Sequence, residues 1–267
     1  MPLAEVADIQ LDYERSGSGE PLLLIMGMSG TALHWGEPFL AELRREFEVI
    51  VFDHRGVGAS TQLHGAVTIA QMAEDASGLL SAIGIDSAHV LGISMGGMIA
   101  QELALAHPGQ IRTLTLGCTY CGGEGSALAA PEVMQRLGEA MMSGDRQLAL
   151  RVAWEINVSA QFAADADAYA RFLAISEQRA VAVPVVMAQL QACTAHDTRE
   201  RLAGLQADTL VIHGSADQLL PALNGRLIAS LIPGSELEML EDIGHLFFWE
   251  RPQYAAELII NHSAVHA

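Results

Sequence analysis

The sequence predicts a doubly wound α/β fold with a mostly parallel sheet and an all-helical insertion. Three observations carry that expectation. Strand-length runs such as 22–26 (Leu-Leu-Leu-Ile-Met) and 49–52 (Val-Ile-Val-Phe) are apolar throughout, the mark of strands buried on both faces in a parallel sheet covered by helices. Strand-like and helix-like segments alternate at short spacing up to residue 119 and again from 209, the rhythm of a doubly wound sheet. From about 123 to 205 that rhythm stops. No strand-like run occurs there, and Ala, Met, Gln and Glu recur at helical spacing, as in 140–142, 149–154 and 169–173.

The elements follow in order. Residues 6–15 alternate apolar and polar from Ala7 on, which suits a half-exposed antiparallel edge strand. Ser16-Gly17-Ser18-Gly19-Glu20-Pro21 is a turn cluster. The 22–26 strand leads into the loop Gly27-Met28-Ser29-Gly30 and then an amphipathic helix over 35–47. The 48–53 strand runs into His54-Arg55-Gly56-Val57-Gly58-Ala59-Ser60, a turn-rich loop. Thr68 caps a helix from 69 to about 83, and Gly84 ends it. The apolar run 89–91 enters Gly92-Ile93-Ser94-Met95-Gly96-Gly97, and the helix that follows stops at His107-Pro108-Gly109. A strand over 111–119 precedes the insertion. After it come a strand at 209–214, a helix around 220–231, a strand at 236–240 and a final helix from 252 to about 261. There are no internal repeats.

Composition narrows the function classes. A chain of 267 residues, 51% hydrophobic, can build one large core without disulfide staples. The net charge is −18, and all 14 basic residues are arginine. Such a chain is repelled by phosphate backbones and by anionic membrane surfaces, so neither nucleic acid nor membrane is an expected partner. Three cysteines, Cys118, Cys121 and Cys193, are too few and too odd in number for a disulfide framework. The pair Cys118-x-x-Cys121 lacks a second pair or a nearby histidine, so it reads as free thiols rather than a zinc site. The N-terminus (Met1-Pro2-Leu3-Ala4-Glu5) has no basic region and no long apolar run, so no signal peptide is expected. No stretch reaches the roughly 18 apolar residues of a membrane span. The default expectation is a cytoplasmic protein, with homo-oligomer formation left open.

The stretch 92–97 carries the chemistry. A strand that ends in a serine between glycines and turns at once into a helix leaves the hydroxyl exposed, and the helix start offers free N–H groups. Alone the pattern is weak. A serine needs a histidine to take its proton and a carboxylate to orient that histidine, and on this type of sheet they follow in the order Ser, Asp, His after later strands. Gly214-Ser215-Ala216-Asp217 and Ile243-Gly244-His245 supply both. Of ten histidines, His107, His262 and His266 lie at a helix stop or in the tail. His89 and His213 fall in strands, where a hydrogen-bonded structural role is expected. His196 lies in the insertion, and His34, His54 and His64 in early loops or helix starts. Only His245 follows a strand and a glycine after the acid. Asp242 and Glu124 compete with Asp217 less well. The oxyanion formed on the substrate needs fixed donors: the backbone N–H of Met95 and one from the 27–30 loop, Met28. No cofactor and no metal is expected.

On these residues (22–28, 53–60, 92–97, 214–217 and Gly244-His245) the chain resembles the α/β-hydrolase superfamily, more closely its esterase, enol-lactonase and cofactor-free haloperoxidase (perhydrolase) branch. The resemblance implies an eight-stranded sheet with a core domain of residues 1–122 and 206–267, and a helical cap of residues 123–205 over the site. It implies catalytic Ser94, Asp217 and His245 with the N–H groups of Met28 and Met95 as the oxyanion hole. It implies a serine esterase acting through an acyl-enzyme on small to medium apolar esters. Lactone opening, perhydrolysis and C–C bond hydrolysis use the same triad, and a ligand-binding protein with slow turnover is the reading from another class. The 53–60 segment is a structural turn in such proteins. One departure stands out: Met26-Gly27 replaces the His-Gly that often supports the oxyanion loop, which favours a bulky apolar ester group. Met141, Met142, Trp154, Phe162 and Tyr169 are candidate pocket residues of the cap, or else its packing core.

Overall fold

In the computed structural model, which describes residues 2–265, the apolar runs become the centre of one eight-stranded sheet in the order β1-β2-β4-β3-β5-β6-β7-β8. His266 and Met1, both weighed above, lie outside the described residues. The strands are β1 (Leu3–Val6), β2 (Ile9–Gly17), β3 (Glu20–Ile25), β4 (Phe47–Phe52), β5 (Ala88–Ile93), β6 (Ile111–Gly117), β7 (Asp208–Gly214) and β8 (Glu236–Leu240). From β4 to β8 all neighbours are parallel, while β2 pairs antiparallel with β1 and β4. The continuous apolar runs are explained by a core on each face. Leu23, Ile25, Ile50 and Phe52 join one cluster, and Leu22, Leu24, Val49 and Val51 join the other.

Helix α1 (Glu37–Leu43) is followed by α2 (Ile69–Ala82) and α3 (Met95–Ala106). Between β6 and β7 stand five helices: α4 (Pro131–Met142), α5 (Arg146–Asn157), α6 (Ala160–Ala163), α7 (Ala166–Gln178) and α8 (Val183–Thr194). Then come α9 (Leu223–Leu231), α10 (Phe247–Glu250) and α11 (Pro252–Val265). Side chains of α2, α3 and α9 fill one apolar cluster, and those of α1, α10 and α11 fill the other. Thr68 caps α2 by accepting from the Gln71 N–H at 3.1 Å. Among the described residues no helix is long and apolar enough to cross a membrane.

Three expectations about elements need correction. The single strand over 6–15 is a hairpin: Val6 pairs with Ile9, and Ala7 turns the chain at φ 50°. A two-residue turn with neither Gly nor Asn interrupts the alternation too briefly to be seen in the pattern. The helix over 35–47 is a 3-10 turn (Ala32–Trp35) and the shorter α1, split where Gly36 takes φ 72°. The helix expected from about 220 starts at Leu223, because the N–H of Leu220 is already given to Asp217 and its carbonyl to His213.

Candidate active site

Ser94 sits between β5 and α3 at φ 56° and ψ −122°, a conformation that costs a non-glycine residue about 1–3 kcal/mol. Neighbouring strands hold it there. Its N–H donates to Gly117 O at 3.0 Å, and the Thr119 hydroxyl donates to its carbonyl at 2.7 Å. The turn leaves no space for side chains beside it. A Cβ on Gly92 would lie 2.2 Å from Gly96 O, and one on Gly96 would lie 1.9 Å from Ile25 O.

Asp217 and His245 meet in the loops after β7 and β8. His245 Nδ1 lies 2.7 Å from Asp217 Oδ2. The carboxylate accepts only, so Nδ1 carries a proton, and in the neutral ring the lone pair is on Nε2. Asp217 Oδ1 accepts the N–H groups of Leu219 and Leu220 at 2.9 and 3.0 Å. Burial alone would raise the Asp217 pKa. The charge of His245 and hydrogen bonds from His213 and His245 outweigh it, so the carboxyl stays well below the usual carboxylate range. Asp242 is exposed, as is Glu124; neither competes for the histidine.

The loop bearing His245 is gripped by the insertion. A Cβ on Gly244 would lie 2.6 Å from the Val158 carbonyl carbon. The N–H of Leu246 donates to Asn157 O at 2.8 Å. Glu250 Oε1 accepts from both Gly244 N and Ser159 N at 2.8 Å. Above this grip Trp154 is fully buried, with Phe162, Tyr169, Phe172 and Trp249 around it at centroid distances of 5.2–6.2 Å. Trp154, Phe162 and Tyr169 therefore form packing core. Met141 and Met142 do neither job expected of them, since Met142 is 86% exposed and Met141 44%: only Ala140 of α4 is buried.

The 27–32 loop lies against the serine: a Cβ on Gly27 would be 3.2 Å from Ser94 Cβ. The supports that make up for the missing family histidine come from elsewhere. His54 Nε2 lies 2.9 Å from Met26 O and, facing a carbonyl, is the donor. Burial pushes the His54 pKa down, which keeps the ring neutral. Asp53 Oδ1 accepts from Ala32 N at 2.7 Å. Asp53 Oδ2 and Asp12 Oδ2 both receive Arg179 Nη1, at 2.6 and 2.8 Å. Gln189 Oε1, on α8, accepts from Ser29 N at 2.9 Å. Among the described residues no protein acceptor takes the N–H of Met28 or Met95. The Met95 side chain is fully buried in the core, and Met28 is partly buried against the same apolar cluster.

Several residues of this site escaped the sequence reading. His89 is structural as expected, bonded to Thr113 and Glu20. His213 does more: its Nε2, 2.7 Å from Leu220 O, also lies 3.5 Å from Asp217 Oδ2. Cys118, just after β6, takes φ 39°, with Sγ within 4.8 Å of the nearest ligand atoms of Asp217 and His245. That trio is the one metal-like cluster among the described residues. Burial, then the Asp217 charge, hold the thiol well above its ordinary pKa, and the other two donors are spent on each other, so the cluster reads as packing around the pair.

Known proteins match this chain in sequence and fold over nearly its whole length. The family model for the alpha/beta hydrolase fold matches residues 20–252. A candidate carbamate hydrolase of Azorhizobium caulinodans is 30% identical, with 97% of each chain covered. The crystal structure of a hydrolase from Pseudomonas aeruginosa PA01 superposes with a TM-score of 0.83 at 29% identity, covering 98% of this chain and 97% of that one. The enol-lactonase from Burkholderia xenovorans LB400 has a TM-score of 0.83 at 26% identity, covering 98% of this chain and 100% of that one.

Proposed function

The chain belongs to the alpha/beta hydrolase fold family, and on that premise we propose that it hydrolyses carboxylic esters through an acyl-enzyme on Ser94. One observation carries the reading: the 2.7 Å bond from His245 to Asp217 fixes the imidazole tautomer, in a chain whose serine occupies the strained turn after β5. Ser94 Oγ attacks the carbonyl carbon, and His245 Nε2 takes the hydroxyl proton. The N–H groups of Met28 and Met95 receive the oxyanion. The C–O bond to the alcohol then breaks, and His245 returns the proton to the departing oxygen. Water repeats the sequence on the acyl-enzyme and frees the acid and Ser94. Asp217, held as a carboxylate, stabilises the imidazolium in both halves.

Residues 123–205 act as the cap over this site, and 1–122 with 206–267 as the core that carries it. The grip of residues 157–159 on the His245 loop supports that division. Three free, buried cysteines suit a reducing, cytoplasmic setting. A second reading, lactone opening by the same steps, draws on the likeness to an enol-lactonase.

The test is hydrolysis of p-nitrophenyl butyrate by the wild-type chain and by Ser94→Ala. A loss of about 10⁴-fold in kcat/KM is expected, and full activity in the variant would refute the proposal. A panel of esters, lactones and β-diketones, with and without peroxide, separates ester hydrolysis from the other reactions this triad supports.

A further inference from the structure

The insertion touches the oxyanion side of the site through one polar side chain that is only half used. Gln189 on α8 is 1% exposed. Its Oε1 accepts from the Ser29 N–H, and because that partner is a donor, the amide cannot be flipped. Nε2 is thereby fixed as the free end, and it is buried without a hydrogen-bond partner. Within α4–α8 no other described buried side-chain nitrogen or oxygen lacks one.

Such a donor costs about 1–3 kcal/mol if nothing meets it, and the setting sharpens the cost. The apolar cluster on this face includes Met28, Ala188 and Ala192. The partner loop is itself strained: Ser29 stands at φ 58°, a conformation the bond to Gln189 helps to hold. Ser29 N is also one peptide unit, about 3.8 Å of chain, beyond Met28, whose N–H is the proposed oxyanion donor. The Gln189 amide thus touches the residue next to the proposed oxyanion donor.

From these facts we infer that Gln189 reads the substrate: Oε1 props the oxyanion loop, and Nε2 donates to an oxygen acceptor, a ketone or hydroxyl, carried by the ester a few bonds from the scissile carbonyl. The preferred substrates are then oxygenated esters rather than plain alkyl ones. The inference rests on the ester-hydrolase reading for its kinetics, and its binding arm stands apart from it.

Two isosteric pairs test it, one on each side of the ester bond. Ethyl 3-oxobutanoate is set against ethyl 3-methylbutanoate, and 2-oxopropyl acetate against 2-methylpropyl acetate, with rates normalised to hydroxide hydrolysis. The wild-type chain should favour the keto member of at least one pair by about tenfold in kcat/KM, the worth of one neutral hydrogen bond. Gln189→Glu keeps an acceptor for Ser29 N and loses the donor. It should abolish that preference, read as the keto-to-alkyl ratio of kcat/KM whatever its effect on the alkyl member. Gln189→Met should abolish it too and also lower kcat on the alkyl member, because the loop loses its prop; it covers the case in which a buried glutamate does not fold. The same pairs titrated calorimetrically onto Ser94→Ala, with and without the Gln189 substitution, read binding without turnover. A keto preference there that vanishes with Gln189→Met supports the inference even if Ser94 proves not to be the nucleophile. Equal affinity within both pairs, or a keto preference untouched by either substitution, overturns it.

Discussion

The two sides of the candidate site are held by different kinds of contact. On the acid–base side, Asp217 and His245 are 28 residues apart but sit in loops after adjacent parallel strands. Asp217 also receives two N–H groups, from Leu219 and Leu220, within the local course of the chain after β7. On the oxyanion side, the 27–32 loop has a few local bonds, from Gly30 N to Gly27 O and between Thr31 and His34. It is braced by His54 and Asp53 from the end of β4, and by Gln189 and Arg179 from the insertion. The insertion touches the first side at residues 157–159, which grip the loop around His245. The second transmits the insertion's position to the place where the oxyanion would form, which makes it the side where substrate choice can be tuned.

Substitutions that separate the two sides should differ in kind as well as size. The largest effect belongs to the acid–base side. Asp217→Asn or His245→Gln should cut kcat/KM on p-nitrophenyl esters by about 10³–10⁴-fold, with folding by circular dichroism retained; a loss below tenfold would remove these residues from the mechanism. On the other side, Arg179→Met leaves the fully buried Asp53 and Asp12 without that cation. It should lower stability by about 3 kcal/mol, read by urea unfolding, with a smaller fall in activity. If stability is unchanged, Arg179 is no strap between insertion and core.

Acid should loosen the oxyanion side as well. His34 bridges Thr31 to Ser176 of α7, and burial pushes its pKa from 6.5 down to about 4. Between those values the unfolded chain binds the extra proton, so this contribution to stability is complete above pH 6.5 and shrinks as pH falls toward 4. Its share of the slope is about 1 kcal/mol per pH unit. Unfolding free energies of wild type and His34→Asn across pH 4–7 check this, since the variant should lose that share of the slope. The smallest effect is expected from His54→Phe, which removes the donor to Met26 O. A fall in kcat of about tenfold with KM little changed would place His54 behind the oxyanion loop; a rise in KM alone would contradict that role.

The same contrast explains what could be read from the sequence. The acid–base side was legible because its parts are motifs: a glycine-flanked serine after an apolar run, then Asp217 and His245 each following a strand. The parallel strands were legible because their apolar runs fill cores on both faces. The braces of the oxyanion loop were not. Gln189 meets Ser29 across 160 residues and Arg179 meets Asp53 across 126, and neither side chain has a local pattern that marks it. His213 was read as a structural strand histidine, which its bond to Leu220 supports, but its approach to Asp217 depends on the bend after β7. Met141 and Met142 were misjudged because hydrophobic type at helical spacing does not say which face of α4 has a neighbour, and α4 buries only Ala140.

The ester-hydrolase reading turns on Ser94 as the nucleophile, made reactive by the His245–Asp217 pair. The direct measurement is reaction of the wild-type chain with a fluorophosphonate, followed by intact mass and peptide mapping, beside Asp217→Asn. The account predicts a single adduct on Ser94, formed far more slowly in the variant. An adduct on another residue, or labelling of Ser94 at the same rate without Asp217, would contradict it.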